Sequence, residues 1–250
     1  MNLGSTIESP ALRTSAAALR KFGLIGGTSW RSTVEYYSAI NGAINRLHGD
    51  NTNPRLNVAS VDQRRIHKAQ SEDDWEAISD ILRDAALELQ LTGVEGLAVC
   101  ANTPHKVFDA IQAELHVPLL HIGDAVAREC AGNGWNDVGL LGTRFTMEDG
   151  FLRDRLRHRH GIRTRVPAGP ARRAIHRCVI DKLSVGDFDD EARALLGDQI
   201  EKLAAAGAEA VVLGCTEFPL LMEGSSCSLP LIDSLACHCD QIVRFIIGEA

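Results

Sequence analysis

A chain of 250 residues, 45% of them hydrophobic, has material for two small α/β domains or one large one. Its 33 acidic against 26 basic side chains leave a net charge of −7, which argues against nucleic acid or an anionic membrane as the main partner. No apolar run approaches the length of a membrane-spanning helix, so no membrane role is expected.

Residues 1–20 are polar and rich in Ser and Ala, without a continuous apolar block, and read as a flexible N-terminal tail rather than a secretory signal. Phe22 to Thr28 is a buried-strand run that ends in a Gly-Gly turn, and Ser32 to Asn45 follows with a helical pattern. Leu56 to Ser60 is a second strand. Ile78, Ile81, Leu82, Ala85 and Leu89 recur at helical spacing between Glu76 and Leu91, and Gly93 ends that helix. Val94 to Cys100 is a third strand, and Asp240 to Ile247 closes the chain as a helix.

The chain also repeats itself. Phe22-Gly-Leu-Ile-Gly-Gly-Thr28 matches Val138-Gly-Leu-Leu-Gly-Thr143. Thr92 to His105 matches Ala206 to Pro219, and Val117-Pro-Leu-Leu-His-Ile122 matches Leu229-Pro-Leu-Ile-Asp-Ser234. The three matches keep their order at offsets of about 112 to 116 residues, as a duplicated half would. The expected fold is therefore α/β: two similar parallel-sheet halves related by a pseudo-twofold axis, with the active site in the cleft between them. The first half takes residues 21–120, completed by a C-terminal helix at 233–250, and the second takes 121–232. Ligands of parallel sheets bind beyond the carboxyl ends of the strands. That directs attention to Gly26–Thr28, Ala101–His105, Gly142–Thr146 and Cys215–Glu217.

Cys215 follows a strand of Ala, Val and Leu in Leu213-Gly-Cys-Thr-Glu217. A thiol at a strand end, near a helix start, invites a lowered pKa and a role as base or nucleophile. The same position could equally be filled by a small core residue. Asn102 and Thr103 suit helix capping or donation to an anion, and His105 suits a proton shuttle or a supporting contact.

Three segments together resemble the aspartate/glutamate racemase family: Gly23-Leu-Ile-Gly-Gly-Thr-Ser-Trp-Arg-Ser-Thr33, Asn102-Thr-Pro-His105 and Gly214-Cys-Thr-Glu217. The resemblance runs from about Lys21 to the C-terminus. It implies a two-fold α/β enzyme that moves the α-proton of aspartate or glutamate with thiols, using neither pyridoxal phosphate nor metal. It implies a cysteine from each half, one directly before Asn-Thr and one after the glycine of Gly-Cys-Thr, and a homodimer in the cytoplasm. Racemisation needs an acid and a base on opposite faces of one carbon, and a pseudo-twofold cleft supplies two such positions.

In this chain Cys215 takes the catalytic position of the second half. Its repeat partner is Ala101, while Cys100, one residue earlier, points to the opposite face of the strand. Three readings stay open. Thr103, His105, Cys100 or a water serves the Ala101 face of a racemase with a directional preference; or Cys215 works alone, as in single-cysteine decarboxylases or isomerases of the superfamily; or the cleft binds its ligand with weak or no catalysis. Gly27, Thr28, Asn102, Thr103, Thr143, Thr216 and Glu217 are the expected substrate-binding positions. A distal carboxylate would call for a guanidinium. Arg64, with Arg65 in the loop after Leu56–Ser60, and Arg173, with Arg172, are the candidates, and Arg144 a weaker one.

Seven cysteines in no regular framework read as reduced thiols. Cys237-His-Cys239, with Cys227 nearby, lacks the spacing of a zinc site, so no metal is expected. The Arg- and His-rich run at 153–165 reads as a solvated helix face. The glycines at 23, 26 and 27 do not meet the spacing of a dinucleotide loop.

Overall fold

The computed structural model describes residues 19–249; the tail expected at 1–20 lies almost wholly outside the described residues. Two parallel four-stranded sheets form the frame. The first contains β1 (Phe22–Gly26), β2 (Leu56–Ser60), β3 (Gly96–Val99) and β4 (Leu119–Leu120), in the order β2-β1-β3-β4. The second contains β5 (Asp137–Gly142), β6 (Arg163–Arg165), β7 (Ala210–Gly214) and β8 (Leu231–Asp233), in the order β6-β5-β7-β8. The two orders are the same, so the repeat in the sequence is a repeat in topology. The central strands β1, β3, β5 and β7 are buried throughout, which is why they read as continuous apolar runs rather than alternating ones.

Helices α1 (Trp30–His48), α2 (Gln63–Ser71), α3 (Trp75–Leu91) and α4 (Phe108–Gln112) belong to the first half. The second half holds α6 (Arg144–Glu148), α7 (Phe151–His160), α8 (Gly169–Asp181), α9 (Asp190–Ala205) and α10 (Phe218–Leu221). Side chains cap the longer helices: Ser29 accepts from the Ser32 N–H at the start of α1, and Asp74 does the same for Ala77 in α3. The loop expected to carry Arg64 and Arg65 is instead the first turn of α2, because Asp62 caps it by accepting from the Arg64 N–H at 2.9 Å.

The remaining helices are exchanged between halves. α5 (Ile122–Asn133) follows the last strand of the first sheet but packs Val126, Ala127 and Cys130 against Val138 and Leu140 of the second. α11 (Ser234–Ile247) follows the last strand of the second sheet and packs Leu235, Ile242, Val243 and Ile246 with Phe22, Leu24, Tyr36 and Ile40 of the first. Burying such a side chain contributes about 1.5–3 kcal/mol, so this reciprocal packing holds the two halves together. It also leaves the carboxyl ends of both sheets facing one cleft.

Candidate active site

The cleft has a volume of ≈ 300 Å³ and draws its walls from both halves. Strand register fixes which residues face one another. Ile25 pairs with Val99 in the first sheet, and Leu141 pairs with Leu213 in the second. Counting two residues on from Val99 and from Leu213 puts Ala101 and Cys215 at equivalent positions. Both line the cleft.

Cys215 is 8% exposed, and its thiol donates to the Glu217 carboxylate at 3.0 Å. The Thr216 hydroxyl donates to the same oxygen at 2.9 Å. Burial pushes the Cys215 thiol well above its ordinary range, and the Glu217 charge and hydrogen bond push it further the same way. This corrects the lowered pKa expected of a strand-end thiol. The helix that follows is only Phe218–Leu221, and the charge nearest the sulfur is negative. The resting group is a protonated thiol hydrogen-bonded to a carboxylate.

Hydrogen bonds join the walls around the cleft. Ser32 bonds to Thr216 at 2.9 Å, Thr103 to Thr143 at 3.1 Å, and Asn102 Nδ2 donates to Ser234 Oγ at 3.1 Å. Ser234 passes the link on to the Leu213 carbonyl at 2.7 Å. The walls are thereby preformed. Two polar atoms on them, Thr28 Oγ1 and Asn102 Oδ1, are buried without a partner. Such atoms are costly unless a ligand or water satisfies them. Gly27 supports the Thr28 wall: its φ is +85°, and a side chain there would run into the Val61 backbone.

Thr28, Asn102, Thr103, Thr143, Thr216 and Glu217 therefore lie together on the cleft. Other sequence candidates lie elsewhere. Cys100 is fully buried against the first half's core, and burial pushes its thiol pKa well up. The ring of His105 is turned away from the cleft wall. Its Nδ1 donates to the Ala101 carbonyl at 2.8 Å, and its Nε2 accepts from the Ile122 N–H at 3.2 Å. Burial holds it neutral, with a pKa of about 4, so it positions the Ala101 loop from behind.

The arginines are also outside. Arg64 is exposed on α2, and Arg173 lies beside Gly169 on α8. Arg172 pairs with Glu148 at 2.7 Å, and Arg144 stacks over Phe145. Sequence reasoning missed Ser32, Gln63, His67, Gln70 and Ser184 on the walls. The three α2 residues were detectable as an i, i+4, i+7 set once α2 was recognised as a helix. Among the described residues no group of three or more His, Cys, Asp or Glu side chains is arranged to hold a metal, and no helix is long and apolar enough to cross a membrane.

The chain is thus a duplicated α/β frame with a thiol–carboxylate pair in the cleft between its halves. The sequence pattern of the Asp/Glu/hydantoin racemase family matches residues 25–242, and the chain belongs to that family. A solved structure of a candidate Asp/Glu racemase from Yersinia pestis is 38% identical, covers 92% of this chain and 100% of its own, and superposes with a TM-score of 0.87. A glutamate racemase of Deinococcus radiodurans is 31% identical over 156 residues, 61% of this chain, and the matched stretch spans 51% of that enzyme's length. The broad-specificity amino-acid racemase RacX of Bacillus subtilis is 25% identical over 172 residues, 66% of this chain and 70% of RacX.

Proposed function

We propose that this protein is a cofactor-independent amino-acid racemase that moves the α-proton with Cys215 on one face of the substrate. The observation that carries the reading is the Cys215 thiol donating to Glu217 at 3.0 Å on the wall of a cleft shared by two halves. Glu217 accepts the thiol proton, and the thiolate takes the α-proton. The negative charge passes into the α-carboxylate, where the Thr28 hydroxyl donates to it. Asn102 Oδ1, an acceptor without a partner, takes an N–H of the substrate ammonium. On the opposite wall, Ala101 leaves space for a water beside the Thr103 hydroxyl, and this pair returns a proton to the other face. Membership of a racemase family and the names of the relatives support an amino-acid substrate. Aspartate and glutamate, the acids implied by the sequence resemblance, belong in the first assay. A homodimer in the cytoplasm is part of the same reading, and sedimentation of the full chain reads the assembly.

The test is proton NMR of L-amino acids with the protein in deuterium oxide, followed by chiral analysis. Loss of the α-proton signal with appearance of the D-enantiomer is expected; no exchange with any amino acid overturns the reading. The methyl group of Ala101, where a second thiol would stand, favours one alternative: a single-thiol decarboxylase or isomerase. Carbon dioxide release from a malonate-type acid, without amino-acid exchange, would establish it.

A further inference from the structure

The charge on the cleft walls bears on which side chain a substrate carries. Among the described residues the ionisable side chains on the walls are those of His67, Cys215 and Glu217; no lysine or arginine lines the cleft. Glu217 stands beside the thiol, so the reacting end of the cleft is already acidic. A substrate with a second carboxylate would bring a further negative charge into this space. Withdrawing that charge from water is unfavourable unless a cation or several donors meet it.

The wall that could meet it carries no lysine or arginine, and His67 is its one ionisable side chain. Gln63, His67 and Gln70 lie at i, i+4 and i+7 on α2 and so share one helix face toward the cleft. Arg64 is one residue past Gln63, about 100° around the helix, and is exposed. Gln63 Oε1 accepts from the Trp30 N–H at 3.4 Å, which leaves its amide N–H groups for a ligand oxygen. From α8, Val179 and Ile180 add apolar surface. Arg31, on the rim, donates to the Ser184 carbonyl at 3.2 Å and is exposed to solvent. A wall of amides beside aliphatic side chains matches a carboxamide, hydroxyl or small aliphatic group. A carboxamide offers a donor and an acceptor together, as glutamine does.

We infer that this cleft selects amino acids with uncharged side chains, above all carboxamides, over dicarboxylic amino acids, with Gln63 and Gln70 of α2 as the residues that read the side chain. The inference rests on the α-proton exchange proposed above. It is tested with two isosteric pairs, L-glutamine against L-glutamate and L-asparagine against L-aspartate, by α-proton exchange in deuterium oxide. Each amide is expected to exchange with kcat/KM at least tenfold above its acid. Gln70→Arg, which supplies a cation on this wall, is expected to move the acid-to-amide ratio at least tenfold toward the acid. A ratio is unaffected by how much of the variant folds. Acids exchanging as fast as their amides, or faster, overturn the inference. So does an acid preference that disappears in Arg31→Ala, which would show the rim arginine swinging in. If none of the four exchanges, the proton-transfer reading fails, and calorimetric titration of the wild-type protein decides the specificity separately. Amides binding tenfold tighter support it; equal binding, tighter acids or no binding overturn it.

Discussion

Cys215 and Glu217 form a donor–acceptor pair, sulfur to carboxylate at 3.0 Å, just past the end of a fully buried strand of the second sheet. The pair inverts the usual picture of a reactive cysteine, because burial and Glu217 both favour the protonated thiol. Replacing Glu217 by Gln removes the charge and keeps the shape. The thiol pKa should then fall, so the midpoint of a pH profile of iodoacetamide alkylation at Cys215 should move to lower pH. Proton exchange should drop by about 10²-fold or more, the scale of a lost general base. A Glu217→Gln variant that exchanges as fast as the parent would show that the carboxylate only bounds the site.

Cys215→Ala should abolish exchange, with a loss of about 10³-fold or greater, while circular dichroism stays native. The sulfur packs with Phe218 and Leu213 in the second half's core, so a modest drop in melting temperature is expected as well. Full activity in a folded Cys215→Ala protein would rule out the thiol as the proton carrier.

Ala101 is the counterpart of Cys215 by strand register, and its methyl has no acidic proton to give or basic atom to take one. A site with one working thiol should return deuterium to the face it came from more often than to the other. Exchange should therefore outrun formation of the D-enantiomer in the wild-type chain. Ala101→Cys should raise the ratio of inversion to exchange about tenfold, measured by chiral chromatography alongside NMR. An unchanged ratio in a folded variant would mean that Ala101 does not face the α-carbon.

How much of this was legible beforehand follows from what sequence patterns encode. The buried central strands and the two halves were readable because apolar runs and a repeat survive in linear order. The six polar wall residues at strand ends were readable for the same reason, since parallel sheets place their sites there. The expected bounds, with the second half starting at 121 and 233–250 returned to the first, already express an exchange of α5 and α11; the side chains that pack each helix there depend on long-range contacts the sequence order does not show. The arginines misled because residue type suggested a carboxylate ligand, whereas helix phase decides direction. Asp62 caps α2, and the phase of that helix puts Gln63, His67 and Gln70 along the cleft and Arg64 outside it. The thiol was misjudged because its environment is set by Glu217, whose side chain folds back onto the sulfur two residues earlier.

Gly27 marks a place where the backbone itself carries function. With φ at +85° and the Val61 backbone against its α-carbon, no L-side chain fits without movement. Gly27→Ala should cost about 2–4 kcal/mol from strain and overpacking combined. That corresponds to a melting temperature lower by roughly 5–15 °C for a chain of this size. Because Thr28 follows directly, KM should rise in whatever fraction folds. A variant with wild-type melting and KM would show that this turn is not rigid.

Acid should unfold this protein through histidines rather than through the site. His105 lies 4.6 Å from His121 and 5.6 Å from His238 between ring centroids, beneath the cleft floor. Tyr36 donates to His238 Nδ1 at 2.8 Å, and His238 Nε2 donates to the Leu120 carbonyl. Burial holds His105 at about 4 and His238 at about 3, and pushes His121 far below the ordinary range. All three are neutral in the fold. In the unfolded chain each takes a proton near pH 6.5. Between about pH 6.5 and 4 the unfolded state binds more protons, so stability is full above that window and falls as pH drops through it. Each such histidine contributes a slope of about 1.4 kcal/mol per pH unit, about 4 kcal/mol per unit for three. Urea unfolding at pH 7.5, 6 and 5 should show the midpoint falling steeply at constant m. His105→Asn keeps a donor for the Ala101 carbonyl but does not titrate, and should lower the slope by about a third. A midpoint that stays flat from pH 6.5 to 5 would show that these rings reach water in the native state.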